Sequence, residues 1–225
     1  MQDIKGKAVL FSEMTPPDGG EDAFNDWYDN HHTPSHVQGV PGFLSAMRYR
    51  SGAGPHYLAV YELSGADALD CDEYRSRKLT PDDATRDMLS RISGFTRYIA
   101  AERFAKARDG DEVAALDAPV IYCVFLTVPM ERCGEFEDWF DNEHADALLA
   151  GEDWLMVRRF DVMDWDPERH THMMLHYLAG EHALESSAVD AARQRDARMK
   201  FAAESWFNPH RVVYVRRRSR FYKTL

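Results

Sequence analysis

The sequence of 225 residues has few cysteines and no long hydrophobic run. Its three cysteines, Cys71, Cys123 and Cys133, form no Cys-x-x-Cys pair, which argues against a disulfide scaffold and against a zinc or dithiol redox site. No stretch approaches the roughly 18 apolar residues of a membrane span, and the first residues lack the apolar core of a signal peptide. These absences predict a protein of a reducing, cytoplasmic compartment with no membrane partner.

Positive charge is also scarce, since 27 Lys and Arg face 38 Asp and Glu and leave a formal charge of −11. Such a chain repels phosphates, which predicts no nucleic-acid partner. One basic run, Arg216, Arg217, Arg218 and Arg220, is interpreted as the solvated end of an edge strand, with a phosphate or membrane patch as the alternative. With 44% hydrophobic and 12% aromatic residues, the chain can still bury a core, so disorder is excluded.

The chain repeats part of its own sequence at an offset of 112 residues. Residues 24–32 (FNDWYDNHH) align without gaps on residues 136–144 (FEDWFDNEH), and six of the nine positions are identical. Apolar segments before and after this motif match in the same order. The repeat predicts two tandem copies of one unit, at residues 1–104 and 120–225, joined by a linker at residues 105–119.

Each copy shows the pattern strand, helix, strand, strand, helix, strand, which is the ferredoxin-like β-α-β-β-α-β unit. In the first copy the strands are predicted at 8–15, 43–50, 57–63 and 96–104, and the helices near 24–32 and 81–93. In the second copy the strands are predicted at 120–127, 154–162, 172–178 and 211–218, and the helices near 136–144 and 188–204. Because two such sheets can cover each other's open faces, the predicted fold class is α+β, with the two sheets packed face to face as an internal dimer.

One helix motif carries a resemblance to a known family. The segment Trp27–Pro34 (WYDNHHTP), followed by Val40–Phe43 (VPGF) and by the arginines Arg48 and Arg50, resembles the EthD-related branch of the dimeric α/β-barrel superfamily, here as a tandem fusion. The resemblance implies the fold for nearly the whole chain. It leaves the reaction open, because the superfamily includes cyclases, isomerases, cofactor-free monooxygenases and haem-degrading enzymes.

The second copy departs from the motif. Glu143, Asp146 and Leu148 stand where the first copy has His31, Pro34 and His36. We therefore expect the working pocket in the first copy, with the second copy present mainly to close the barrel.

His32 is the main catalytic candidate, because an imidazole can exchange a proton near neutral pH without a cofactor. Tyr28 and Asp29 precede it by one helical turn and are expected to reach the same edge of the helix, where either can fix the tautomer of His32. The predicted catalytic residues are thus His32, Tyr28 and Asp29. The alternative is that Asp29 and His32 only connect the helix end to the next loop.

Further residues are predicted to bind the substrate: His36, Arg48, Tyr61, Trp27, His144 and His176. Arg48 would hold a carboxylate or phenolate if it faces a cavity, and otherwise forms an ion pair. Trp27 has an alternative role in packing the helix onto its sheet. His32 and His36, at i and i+4, could ligate a metal, but Pro34 is expected to end or kink the helix between them. No metal and no cofactor are predicted.

Together these residues predict a cofactor-independent enzyme of lyase, isomerase, cyclase or dehydratase type. His32 would move a proton next to the carbonyl of an aromatic or polyketide-like substrate, while Tyr28, Tyr61 or Arg48 stabilises the enolate oxygen. Two alternatives stay open: an oxidative enzyme of the superfamily, either haem-using or a cofactor-free monooxygenase, and a non-catalytic binding or accessory protein. The expected partner is a small-molecule substrate, and a further homodimer of the internal pseudo-dimer is left open.

Overall fold

The computed structural model describes residues 4–223 and divides into two compact units. Unit 1 contains the chain up to Ala101, together with Met163–Glu168 and the chain from Arg216 onward. Unit 2 contains Glu102–Val162 and Arg169–Val215. The outermost residues of the two predicted copies, 1–3 and 224–225, lie outside the described residues. Unit 1 is therefore discontinuous in the sequence.

Unit 1 has the predicted β-α-β-β-α-β order. Its strands β1 (Ala8–Thr15), β2 (Phe43–Ser51), β3 (Tyr57–Leu63) and β4 (Ser93–Ala107, whose last residues belong to unit 2) pair antiparallel in the order β2-β3-β1-β4. Its helices are α1 (Glu21–Trp27), α2 (Thr33–Gly39), α3 (Asp72–Leu79) and α4 (Asp83–Arg91). Phe24 of α1 and Val37 of α2 are fully buried in the core against β3 residues such as Tyr57 and Leu63. Burial of this apolar helix face on the sheet is what holds the unit together.

Unit 2 repeats this architecture. The short helix α5 (Glu112–Ala115) lies in the segment predicted as the linker and precedes β5 (Val120–Leu126). The helices that follow are α6 (Cys133–Trp139), α7 (Ala145–Leu149), α8 (Ser187–Arg193) and α9 (Asp196–Ala202), and the strands are β6 (Trp154–Asp166), β7 (His172–Leu178) and β8 (His210–Arg216). The unit's strands pair antiparallel in the order β6-β7-β5-β8, and the residues of β6 from Met163 onward belong to unit 1. A last strand, β9 (Phe221–Tyr222), belongs to unit 1 and pairs there with β2. The predicted α+β class is confirmed.

The first helix of each unit contains one wide turn. In unit 1, α1 and α2 are joined without a break by a π-helical turn at Tyr28–His32, where the Thr33 N–H donates to the Tyr28 carbonyl five residues back. Pro34 was expected to end or kink the helix between His32 and His36. The first expectation is wrong, because the helix continues and Pro34 lies in the first turn of α2, where the missing N–H of a proline is tolerated. Unit 2 has the same wide turn at Phe140–His144 without a proline. The turn therefore belongs to the shared motif, and it leaves His36 in the same helix as His32.

The second helical region of each unit is more divided than predicted. In unit 1 the helix predicted at 81–93 corresponds to α4, and a further helix, α3, precedes it. In unit 2 the helix predicted at 188–204 is divided into α8 and α9. Helix α3 has no buried residue and hence no apolar stripe from which it could be predicted. No helix within residues 4–223 is long and apolar enough to cross a membrane.

Candidate functional site

Unit 1 contains a cavity of about 470 Å³ that opens between its first helix, its sheet and the α3–α4 region. The sheet side is lined by Leu10, Met14 and Tyr61, and the helix side by Tyr28, Ser35 and two histidines, His32 and His36. This cavity brings together four of the sequence-predicted site residues: Tyr28, His32, His36 and Tyr61. Tyr61 comes from β3, Tyr28 and His32 come from the wide turn, and His36 comes from α2. All four side chains line the same cavity.

The two histidines lie side by side on the cavity wall. Their ring centroids are 4.4 Å apart, and the His32 ring lies at the same distance from the ring of Trp27. Burial, together with nearby His36, His31 and Arg48, holds the pKa of His32 well below its usual value. Burial also lowers the pKa of His36. Both imidazoles are therefore neutral at pH 7 and able to accept a proton.

Hydrogen bonding fixes the tautomer of His36. Its Nδ1 lies 2.9 Å from the backbone carbonyl oxygen of His32. Because a carbonyl oxygen only accepts, Nδ1 of His36 carries the proton, and Nε2 keeps the lone pair. His36 thus offers an acceptor nitrogen in the cavity wall.

Two phenols lie next to the histidines. The Tyr61 hydroxyl donates to the Tyr28 hydroxyl at 3.5 Å, and both side chains are almost fully buried. Burial raises the pKa of Tyr28 and places that of Tyr61 well above its usual value. Both remain protonated at neutral pH, and the Tyr28 hydroxyl, which accepts from Tyr61, can donate its own proton to an oxygen that gains negative charge.

Asp29 is directed away from His32 and belongs to a buried ion pair. Its Oδ1 accepts from Arg48 Nη1 at 2.5 Å, and its Oδ2 accepts from Arg218 at 3.0 Å and from Arg217. Arg48 also donates to the Asn25 side-chain oxygen at 3.0 Å. The expected contact between Asp29 and His32 is therefore absent from the described hydrogen bonds, because both carboxylate oxygens of Asp29 are used by arginines.

Arg48 takes the ion-pair role that the sequence left as its alternative. It is 2% exposed and does not line the cavity, but its guanidinium lies 4.2 Å from the centroid of the Tyr28 ring. Arg48 therefore packs against the Tyr28 ring from outside the cavity. Two members of the C-terminal basic run, Arg217 and Arg218, are likewise bound to Asp29 rather than simply solvated.

Trp27 also lies behind the cavity. It belongs to the buried core, and its indole Nε1 donates to the Thr85 hydroxyl at 3.4 Å. Its ring contacts His32 without being part of the cavity lining. The packing alternative for Trp27 is the one found.

Several lining residues were not predicted. Arg77 and Lys78 of α3 lie in the wall, as do Asp82 before α4 and Arg97 of β4. Asp82 accepts from the Thr85 N–H at 2.9 Å and pairs with exposed His31 at 3.0 Å. The charged pattern of α3 was visible in the sequence, but nothing in it shows that the helix covers a cavity.

Unit 2 holds a second cavity, of about 340 Å³, at the equivalent place. His144 and His176, the remaining predicted substrate-binding residues, both line it. The strand register makes His176 the counterpart of Tyr61, and the repeat places Phe140 at the position of Tyr28 and Leu148 at that of His36. Both phenols and one imidazole of the first cavity are thus lost.

The buried ion pair is retained in unit 2. Arg159, the counterpart of Arg48, donates to both oxygens of Asp141, the counterpart of Asp29, at 2.9 and 2.8 Å. Within residues 4–223, three potential metal ligands converge only at Glu137, Asp161 and His172. Arg159 lies 3.5 Å from Glu137 and 3.7 Å from Asp161, so these carboxylates belong to the same ion-pair network.

Comparison with known proteins shows similarity in structure only. No protein-family model matches the sequence, and no curated protein sequence matches it. An anthrone oxidase-like protein superposes with a TM-score of 0.63 at 12% identity, covering 96% of this chain and 92% of its own. A candidate monooxygenase from Lactobacillus acidophilus NCFM superposes with a TM-score of 0.58 at 10% identity, over 93% of this chain and 94% of its own.

A haem-degrading enzyme from Listeria monocytogenes is also similar, with a TM-score of 0.52 at 7% identity, over 93% of this chain and 99% of its own. At such identities the likeness establishes the fold alone. That fold agrees with the α+β class predicted from the sequence.

Proposed function

We propose that unit 1 is an oxidising enzyme that removes a proton from an aromatic, carbonyl-bearing substrate and lets the resulting carbanion react with dioxygen. The observation that carries the proposal is the cavity of unit 1, where neutral imidazoles and protonated phenols face the same largely apolar space. A base and hydrogen-bond donors around one carbonyl compound are what enolate formation needs.

In this proposal His32 accepts the proton from the carbon next to the carbonyl. Its lowered pKa keeps it in the neutral, proton-accepting form and suits a substrate whose C–H bond is acidified by flanking rings. Tyr28 donates to the oxygen that becomes negative, and Tyr61 strengthens Tyr28 as a donor by its own hydrogen bond to the Tyr28 hydroxyl. The Nε2 lone pair of His36 accepts from a substrate hydroxyl. In the balanced change for an anthrone-type substrate, the ring methylene and one dioxygen molecule become a ring carbonyl and one water molecule.

The similar structures support oxidation more than the cofactor-independent lyase, isomerase, cyclase or dehydratase expected from the sequence. Their names describe an anthrone oxidase-like protein, a candidate monooxygenase and a haem-degrading enzyme. Both kinds of reaction begin with the same proton transfer, so the roles given to His32 and Tyr28 are unchanged. A non-catalytic protein would be expected to fill its pocket with Trp27, Phe43 and Tyr61, whereas the cavity in unit 1 is open.

A haem-using oxidation is the second candidate, favoured by the tautomer of His36. A haem-ligating histidine presents one nitrogen lone pair while its other nitrogen donates to an acceptor, and the Nδ1 contact with the His32 carbonyl meets that requirement. His36 would be the ligand, and Arg77 and Lys78 would bind the haem carboxylates. A bound haem would supply electron transfer to oxygen.

The proposal also includes the compartment, the family branch and the origin of the two units that the sequence predicts. We place the protein in the cytoplasm and in the EthD-related branch, because of its cysteine content and its WYDNHHTP motif. We also retain the tandem origin of the two units, a small-molecule substrate and the absence of nucleic-acid and membrane partners.

Oxygen uptake with anthrone as the probe tests the proposal. The purified chain is expected to consume one dioxygen per anthrone and release the quinone. Tyr28→Phe is expected to lower kcat by about 10²-fold, because it removes the donor to the developing oxyanion. Tyr222→Phe, in the exposed strand β9, is the matched control. A Soret band in the purified protein would replace this mechanism by the haem-using one. Turnover that stays the same without oxygen would refute oxidation.

A further inference from the structure

The cavity of unit 2 differs from that of unit 1 in its charge. Three arginines line it, Arg193, Arg198 and Arg211, and no Asp or Glu belongs to its lining. In the cavity of unit 1, Arg77, Lys78 and Arg97 are accompanied by Asp82. A purely cationic lining stands out in a chain whose formal charge is −11.

One pair of equivalent arginines shows the difference directly. Arg97 pairs in register with Ser12 of β1, and Arg211 with Val124 of β5, so the two arginines occupy the same place in their sheets. Arg97 forms an ion pair with Asp164 at 3.0 Å. Among the ion pairs described for residues 4–223, neither Arg211 nor Arg198 has a carboxylate partner, and Arg193 has only a long contact of 3.8 Å with Asp190.

Arg198 is the most enclosed of the three. Its side chain is partly buried, and its guanidinium lies 4.6 Å from the centroid of the Phe207 ring. Burial lowers its pKa, and Arg211 and Arg193 lower it further by repulsion. Like charges that face a partly buried space without a counter-ion are unfavourable, and an anion in that space would relieve the repulsion.

The rest of the wall is aromatic and has unused polar atoms. Phe136, Trp139, Phe140, Tyr122 and Trp154 surround the cavity. His176 and Trp154 are 3% and 2% exposed. Nδ1 of His176 and Nε1 of Trp154 are buried without a hydrogen-bond partner within the described part of the chain. A wall of this kind suits a flat apolar ring that carries a polar group.

We propose that the cavity of unit 2 is a binding site for a small aromatic carboxylate, with the ring among the aromatic side chains and the carboxylate bound by Arg198 and Arg211. Guanidinium groups bind carboxylates through paired N–H donors, and the aromatic wall supplies the apolar contact. The volume of about 340 Å³ lies within the ~300–1,000 Å³ of typical ligand pockets. The site is independent of the oxidation proposed for unit 1.

Calorimetric titration of the full chain with 2-naphthoate tests the site, with 2-naphthamide as the uncharged probe of the same shape. Naphthoate is expected to bind about tenfold more tightly than the amide, and Arg198→Met and Arg211→Met are each expected to weaken naphthoate binding about tenfold or more, because each removes a charged hydrogen bond. Arg198→Lys, which keeps the charge, is expected to retain part of the affinity.

Two controls locate the ligand. Arg195→Met changes an exposed arginine that does not line the cavity, and Arg97→Met changes the equivalent arginine of unit 1. Both are expected to leave naphthoate binding within about twofold of the wild-type value, since neither group contacts the proposed carboxylate. If circular dichroism shows that Arg198→Met does not fold, the binding of naphthoate to Arg211→Met still tests the proposal, because Arg211 is exposed and its replacement should not disturb folding. Equal binding of acid and amide, unchanged binding in both cavity variants, or a loss caused by Arg97→Met alone would overturn the proposal.

Discussion

Units 1 and 2 share one scaffold and differ in what that scaffold presents to its cavity. Both contain the wide helical turn and a buried Asp–Arg pair, Asp29 with Arg48 and Asp141 with Arg159. On the cavity side, however, Tyr28 and Tyr61 of unit 1 are replaced in unit 2. The retained features belong to the shared scaffold, and the side chains that differ line the two cavities.

The largest expected difference between the units is in turnover. His32→Ala is expected to lower kcat/KM with the oxidised substrate by roughly 10²–10⁴-fold, as for loss of a general base, whereas His144→Ala should leave it within about twofold. Steady-state oxygen uptake measures both variants. Equal losses would mean that both cavities contribute to turnover, and the proposed difference between the units would have to be abandoned.

The shared ion pair should affect stability in both units. Arg159→Ala is expected to lower the free energy of unfolding by about 3 kcal/mol, because it leaves the Asp141 carboxylate without its main partner. Arg48→Ala is expected to lower it by less, because Asp29 keeps its contacts with Arg217 and Arg218. Arg50→Ala, which breaks an exposed pair with Glu21 at 3.4 Å, serves as the control and should cost less than about 1 kcal/mol. Urea unfolding measures all three. If Arg48→Ala abolished turnover at unchanged stability, Arg48 would belong to the substrate site after all.

Each buried histidine with a lowered pKa should make stability depend on pH, and the share of His176 can be separated because it stands where unit 1 has Tyr61. Burial lowers the pKa of His176 to about 3, while the unfolded chain takes up the proton near pH 6.5. Stability is therefore lost as the pH falls below that value, by about 2 kcal/mol for His176 between pH 6.5 and pH 5. In the variant His176→Phe, this part of the loss of stability at low pH should be absent. Unfolding curves of both proteins at pH 7.5 and pH 5 test it, and parallel losses would rule out His176 as the source.

The smallest effect concerns the start of the last helix in each unit. Asp82 caps α4 by accepting from the Thr85 N–H, whereas Arg195 at the start of α9 makes no side-chain cap bond. Asp82→Ala should therefore cost about 1 kcal/mol and Arg195→Ala almost nothing. Thermal unfolding compares the two, with Asp83→Ala as a control in the first turn of α4. Similar shifts for Asp82 and Asp83 would show that the charge, and not the cap, matters.

Much of the fold follows from the sequence, because strands such as β1 and β7 are apolar runs and the helix motif repeats. The paired retention of Asp29 with Asp141 and of Arg48 with Arg159 was also visible, and it indicates the ion pair more strongly than a substrate site. By contrast, the contribution of Arg77 and Lys78 to the cavity could not be predicted, since exposed α3 has no apolar periodicity. Nor does sequence alone reveal how far burial lowers the pKa of His32.

The contact of Asp29 with Arg217 joins residues 188 positions apart. At about 5–20 residues per second, a ribosome adds Arg217 about 10–40 s after Asp29. During synthesis, Asp29 can therefore pair with Arg217 and Arg218 only after the whole of unit 2 has been made. Unit 1, although it comes first in the sequence, is the unit that is completed last.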